Sequence, residues 1–275
     1  MKKPPQFARK CIFCGANANS REHRYSSWMH RLLPEFAEQA YSGEFIEAHP
    51  KTGAVSRRSK KTKPGHLHTK KVKAVCKNCN NGWMSVMEQD AKPSLEPLIN
   101  GEIVSLDASM LALLARWAAL KAIVSEHDQP RTHVTPQADR TLFMEAGTIP
   151  SYFNIYMVSH KCESRSGYVR TSHTVALTKD GPVPPLDGRE KNTQQISFIL
   201  GSVMLHINAA RVDGFRIEDR LNMPAIVNLR IWPLNQTPLT WPASPLLTCE
   251  QMGALAYSIE QIAASPNVRW SESFP

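Results

Sequence analysis

The sequence predicts an α+β protein in two parts: a small metal-stabilised domain over residues 1–100 and a larger α+β domain over 101–275 with a mostly antiparallel sheet. Three observations lead there. Two Cys-x-x-Cys pairs stand at Cys11–Cys14 and Cys76–Cys79. Helical patterns are followed by several strand-like runs and a final helix, an order that favours segregated helices and an antiparallel sheet over alternating βαβ units. The charge is also unevenly placed. Residues 1–100 hold 18 Lys and Arg against 8 Asp and Glu, a balance of +10, whereas residues 101–275 hold 15 against 16, a balance of −1.

A chain of 275 residues suits one large or two ordinary domains at roughly 100–200 residues each. Its 42% hydrophobic and 21% charged residues exclude collagen-like, wholly disordered and disulfide-scaffold classes. The longest apolar stretch, Leu106 to Val124, is interrupted by Asp107, Arg116 and Lys121, so no membrane span is expected. Met1 to Lys10 is basic, lacks the apolar run of a secretory signal and reads as a tail. A cytoplasmic location is expected.

Along the first part, the turn Gly15 to Ser20 precedes Arg21-Glu22-His23-Arg24-Tyr25-Ser26-Ser27-Trp28. Met29 to Ala40 has the spacing of a short helix, opposed by Pro34. Lys51 to Lys77 holds ten Lys and Arg and no acid, and reads as a low-complexity, lysine-rich loop. Trp83, Met84, Met87, Ala91 and Leu95 then recur at helical spacing, with Asn80 or Asn81 as N-cap and Pro93 bending or ending the helix. Trp28 and Trp83 are expected to pack the small domain. The charge bias stops at Asn100-Gly101, where the domain boundary is placed.

In the second part, Met110, Leu113, Leu114, Trp117, Leu120 and Val124 mark a helix, and Thr135 to Ala146 another. Strands are predicted over Tyr152 to Ser159, Tyr168 to Leu177, Gln195 to Leu200, Val203 to Asn208 and Ala225 to Trp232, with a last helix over Glu250 to Ala264. The near-neutral charge of this part suits a protein partner or self-association better than a second grip on nucleic acid.

Paired Cys-x-x-Cys turns in a reducing compartment point to a metal rather than to disulfides, since each turn carries two thiolates to one tetrahedral ion. Cys11, Cys14, Cys76 and Cys79 therefore form a structural zinc site. Cys162 and Cys249 stand alone and read as small buried apolar side chains.

Folding both turns onto one ion brings the residues just beyond them together. Glu22 offers a carboxylate oxygen and Asn80 an amide oxygen, hard ligands suited to Mg2+ or Mn2+. His23 supplies a base with an ordinary pKa near about 6.5, suited to deprotonating water. This set fits metal-assisted phosphodiester hydrolysis. Arg57, Arg58, Lys60, Lys61, Lys63, Lys70, Lys71 and Lys73 would neutralise phosphates without reading sequence.

Cys11-x-x-Cys14-Gly15, Glu22-His23 and Cys76-x-x-Cys79-Asn80 resemble the zinc-containing branch of the HNH, or ββα-metal, endonucleases, particularly the endonuclease VII-like group, over about residues 8–95. The resemblance implies a ββα-metal fold for this part, DNA as substrate, Glu22 and Asn80 as ligands of a catalytic divalent metal, His23 as general base and the four cysteines as structural zinc ligands. It also suggests antiphage defence or a mobile element as context. The sequence departs from the family in having Glu in place of Asp, and Lys70, Lys71 and Lys73 where a middle Asn is common, with His66 and His68 nearby as stand-ins. The long gap between the cysteine pairs implies an insertion within residues 30–65. Two other readings stay open: a non-catalytic zinc-containing nucleic-acid-binding protein in which Glu22-His23 is incidental, and an RNA-cleaving enzyme with the same site.

Overall fold

The computed structural model describes residues 9–33, 40–48, 55–64, 69–129, 132–177, 190–213, 215, 226, 229–235, 238–258 and 268–271. His66 and His68, the tail before residue 9 and the end of the last predicted helix beyond residue 258 lie outside these residues.

The first cysteine turn leads into a short strand, β1 (Ser20–His23), followed by a 3₁₀ turn at Ser27–Arg31. Of the helix expected over Met29 to Ala40, residues 34–39 lie outside the described residues; Met29 to Arg31 belong to the 3₁₀ turn and Ala40 opens β2 (Ala40–Ala48). β2 pairs antiparallel with β3 (Val55–Pro64), so ten residues of the expected lysine-rich loop are strand, with Glu44 opposite Lys60. This hairpin occupies the place where an insertion was expected. β4 (Lys71–Val75) returns to pair with β1, setting Glu22 opposite Val72 and His23 opposite Lys71.

Cys76 starts the helical run. Neither Asn80 nor Asn81 caps it, because the Cys76 sulfur takes the N-cap position of α1 (Lys77–Cys79), accepting the Cys79 N–H at 3.4 Å. The chain passes through a wider turn over Asn80–Met84, kinked at Gly82, into α2 (Ser85–Asn100). Pro93 does not end α2, which holds both Pro93 and Pro97 and closes on Gly101 at φ 80°. Pro93 lies on the exposed side, where water can serve the carbonyl its ring leaves unpaired.

β5 (Val104–Leu106) precedes α3 (Ala108–Glu126), whose first turn is capped by Asp107 accepting the Met110 N–H at 2.9 Å. By length and composition α3 could cross a membrane, but it is mostly buried within the protein. α4 (Gln137–Ala146) follows. Then come β6 (Phe153–Ser159), β7 (Ser166–Leu177), β8 (Thr193–Leu200), β9 (Val203–Ala210), β10 (Arg230–Trp232), β11 (Leu239–Trp241), α5 (Cys249–Ala256) and β12 (Val268–Ser271). Six strands form one sheet in the order β10-β6-β9-β8-β7-β12, every neighbour antiparallel, while β11 pairs with β5. The protein is thus α+β with an antiparallel sheet.

α3 packs against α2 and against β6, β9 and β10. One buried cluster runs from Cys11 through α2 and α3 to Ala256, so side chains on both sides of residue 100 share a core. The N-terminal part is also tied down by polar contacts. Gln137 Nε2 and Arg140 Nε donate to the Ile12 carbonyl at 3.0 and 2.9 Å, and the Tyr25 hydroxyl donates to the Gly167 carbonyl. Trp83 stands edge-on to both Phe13 and Phe143, at 4.9 and 6.0 Å between ring centroids.

Cys162 and Cys249 are not separate apolar side chains. They form a disulfide with Cα atoms 4.9 Å apart, Cys249 being exposed. The backbone explains the meeting: Leu247 donates to the Ser159 carbonyl and Lys161 to the Leu247 carbonyl, both at 3.0 Å. Non-reducing peptide mapping is expected to recover the 162–249 linked pair, and Cys162→Ser with Cys249→Ser to lower unfolding stability by about 2–4 kcal/mol.

His127, His173 and His206 are each held down to about 3, first by burial. Arg140, His133 and Arg170 add to the effect at His127, and Lys191 and Arg170 at His173, while Asn208 opposes it at His206. Unfolding frees these imidazoles to take protons at an ordinary pKa near about 6.5. Stability from this source is therefore complete above about pH 6.5 and is lost as pH falls toward about 3. Thermal melts between pH 7 and pH 4 are expected to show this fall, and His206→Gln to make it shallower.

Candidate functional site

The four cysteines expected to share a metal do come together. Their sulfurs all lie within 4.8 Å of one another, Cys14 and Cys76 at 3.5 Å, and only Cys14 is exposed. Zn–S bonds of about 2.3 Å in a tetrahedron put sulfurs about 3.8 Å apart, so the set can hold one metal ion such as zinc. Local backbone chemistry builds each turn. Gly15 adopts φ 74°, a left-handed conformation that lets its N–H reach the Cys11 carbonyl at 3.0 Å. At the second turn, burial pushes the Cys76 thiol up, but hydrogen bonds from the Cys79 N–H and the neighbouring thiols outweigh it and bring Cys76 to about 7. That favours a thiolate, the form that binds metal.

β1 runs from the metal cluster toward the interior and serves two environments. Successive side chains on a strand point to opposite faces. Arg21 is exposed, Glu22 is buried at 7% exposure, and His23 is half-buried. On β4, Lys71 and Lys73 are exposed and Val72 and Ala74 buried. The open face of this two-stranded ribbon therefore carries Arg21, Lys71 and Lys73 beside His23. Its inner face carries Glu22.

His23 stands 5.8 Å from the His30 ring, centroid to centroid. Burial, then the positive charges of Lys71, His30 and Lys121, lower His23 to about 4, against a smaller opposing effect of Glu88. Its imidazole is neutral at physiological pH.

Asn80, expected beside Glu22 and His23, is bound to their strand: its Nδ2 donates to Ser20 Oγ at 2.9 Å. Among the described residues, Asn80 Oδ1 makes no hydrogen bond, whereas the Glu22 carboxyl meets the carboxyl of Glu88 as well as Lys121. An amide oxygen and a carboxylate oxygen of this kind fit a hard divalent cation.

Glu22 Oε1 is engaged otherwise. It accepts from Lys121 Nζ at 2.5 Å, and Lys121 also donates to the His23 carbonyl at 3.2 Å and to Glu88 Oε1. Ser26 Oγ donates to the same Glu88 oxygen at 2.7 Å. Burial raises the Glu22 carboxyl above its ordinary range against the pull of Lys121, whereas at Glu88 the charge and hydrogen bonds of Lys121 outweigh burial and lower it. Burial also works against the charge of Lys121, but the two carboxylates hold its pKa above the usual value. In the sequence Glu88 stands about two helical turns beyond Asn80 as an ordinary acid, and Lys121 only interrupts an apolar stretch. Both belong to this cluster.

The basic residues expected to meet phosphates divide. Arg57, Arg58, Lys60, Lys61 and Lys63 lie along β3. Lys71 and Lys73 are exposed beside His23, whereas Lys70 pairs with Asp128 at 3.4 Å, next to the 2.6 Å pair of Arg24 and Asp128.

Comparison with protein-family models, curated proteins and solved structures finds no match. The purified protein is expected to carry one zinc-type ion per chain by mass spectrometry of its metals. Cys76→Ser is expected to lose the ion and melt well below the wild type.

Proposed function

We propose that the protein is a metal-dependent endonuclease that hydrolyses DNA phosphodiester bonds, with a structural zinc ion on Cys11, Cys14, Cys76 and Cys79 and an HNH-like, ββα-metal site in its N-terminal part. One observation carries this reading: the 2.9 Å hydrogen bond from Asn80 to Ser20 ties the residue after the second cysteine turn to the strand bearing Glu22 and His23. Residues far apart in sequence then share one locality, as the resemblance to HNH endonucleases requires.

In this reading His23 is the general base. A neutral imidazole at the open face takes the proton from a water molecule as that water attacks phosphorus. Glu22 and Asn80 would hold Mg2+ or Mn2+. The ion, when bound, offsets charge developing on the phosphate oxygens and the leaving group. Arg21, Lys71 and Lys73 face the same side as His23 and would hold the neighbouring phosphates, making binding steeply salt-dependent and independent of sequence.

A non-catalytic zinc-containing nucleic-acid-binding protein is favoured by a different observation, the engagement of Glu22 by Lys121. An RNA-cleaving enzyme would use the same residues. Incubation of supercoiled plasmid, or of RNA, with the protein and Mg2+ or Mn2+ separates the three. Wild type is expected to nick plasmid and His23→Ala to be slower by about 10²-fold or more, with zinc content and DNA binding unchanged. Equal inertness of both proteins, each still binding DNA and zinc, supports the binding protein instead. Cleavage of RNA alone moves the substrate class.

A further inference from the structure

Lys121 is the most deeply buried charge near the proposed site, its side chain 1% exposed. It belongs to α3, outside the stretch that resembles a nuclease. Its ammonium meets three groups: the carboxylate of Glu22, the backbone carbonyl of the next residue, His23, and the carboxylate of Glu88 on α2. Two of the three belong to the adjacent pair proposed to do the chemistry.

Energetics argue that this cluster serves more than stability. Burying an ionised group costs several kcal/mol, and a buried ion pair is often replaceable by packed apolar side chains without loss of stability. The surroundings are already apolar: Trp117, Ala118, Leu120, Ala122 and Val124 of α3 are all buried. Apolar side chains in place of all three charged groups would suit that core. What a charged side chain adds is direction, because the ammonium takes one oxygen of Glu22 inward and holds the backbone at His23.

We propose that Lys121 is a positioning residue of the site: by binding Glu22 Oε1 and the His23 carbonyl together, it fixes the two adjacent residues relative to each other, with Glu88 holding the ammonium as well. The inference rests on the endonuclease reading. It makes α3 part of the active site and the segment beyond residue 100 indispensable to it.

The test uses the full-length protein and reads Mn2+ binding by the electron paramagnetic resonance of free Mn2+, beside plasmid nicking, zinc content and melting temperature. Glu22→Ala marks the level of binding without the proposed ligand. Lys121→Met is expected to weaken Mn2+ binding by about tenfold or more, and nicking with it, while zinc stays at the wild-type level. Because Lys121→Met leaves two buried carboxylates unpaired and can fail to fold, Lys121→Met is also combined with Glu88→Gln. The double variant is expected to melt near the wild type and still to bind Mn2+ about tenfold more weakly. Wild-type Mn2+ affinity in a folded double variant overturns the inference, since Lys121 would then only neutralise Glu88. If the wild type itself neither binds Mn2+ nor nicks DNA, the endonuclease reading falls and the inference falls with it. If the wild type does both and the Lys121 variants do so equally, the inference alone is lost.

Discussion

Lys121 can keep its charge in the interior only because two carboxylates, one from β1 and one from α2, close on its ammonium. That requirement reaches through much of the molecule. β1 must present Glu22 inward, α2 must bring Glu88 round with Ser26 supporting it, and α3 must lie close enough for a lysine to reach both. The apolar packing of α3 on α2 and on the sheet supplies the closeness. The ionic cluster selects which faces meet. Apolar surfaces alone would tolerate small rotations of α2 against α3, whereas a misplaced carboxylate leaves a buried charge unpaired, at a cost of roughly 3–5 kcal/mol.

The ribbon β1–β4 separates two electrical environments by the thickness of a strand. Outside, Arg21, Lys71 and Lys73 are exposed beside a half-buried imidazole, whose proton is disfavoured by burial and then by the charges of Lys71, His30 and Lys121. Inside, two acids and one base are kept from water. His23 stands at the boundary, with its ring toward the first environment and its carbonyl bound in the second.

What could be read from the sequence was what short-range pattern encodes. The cysteine turns, α3, α4 and strands β6 to β9 each carry their signal within a few residues: a fixed spacing, an apolar period, a β-branched run. What escaped was set by distance or masked by composition. Lys121 lies 99 and 33 residues from its two acid partners, and nothing near position 121 hints at either. Cys162 and Cys249 are 87 residues apart and meet only because the chain around Leu247 lies beside Ser159. The β2–β3 hairpin was hidden by its own lysines and arginines, which overwrite the alternation that marks a strand. The helical run begins before Asn80 and Asn81, the caps expected for the helix through Leu95, because a cysteine sulfur already caps it at Cys76.

The position of the cysteine cluster relative to β1 has a mechanical consequence. Ser20 pairs with Val75, and Cys76 follows immediately, 3.5 Å from Cys14 of the first turn. The thiolates therefore clamp the end of the ribbon where pairing begins. A slip of one residue would displace Cys76 by about 3.3 Å and pull it out of a cluster only 4.8 Å across. The same slip would turn every side chain of the strand over, sending the Glu22 carboxylate to water and the His23 imidazole into the core. An ion held there acts as a gauge pin, setting the alignment of a strand too short to set its own.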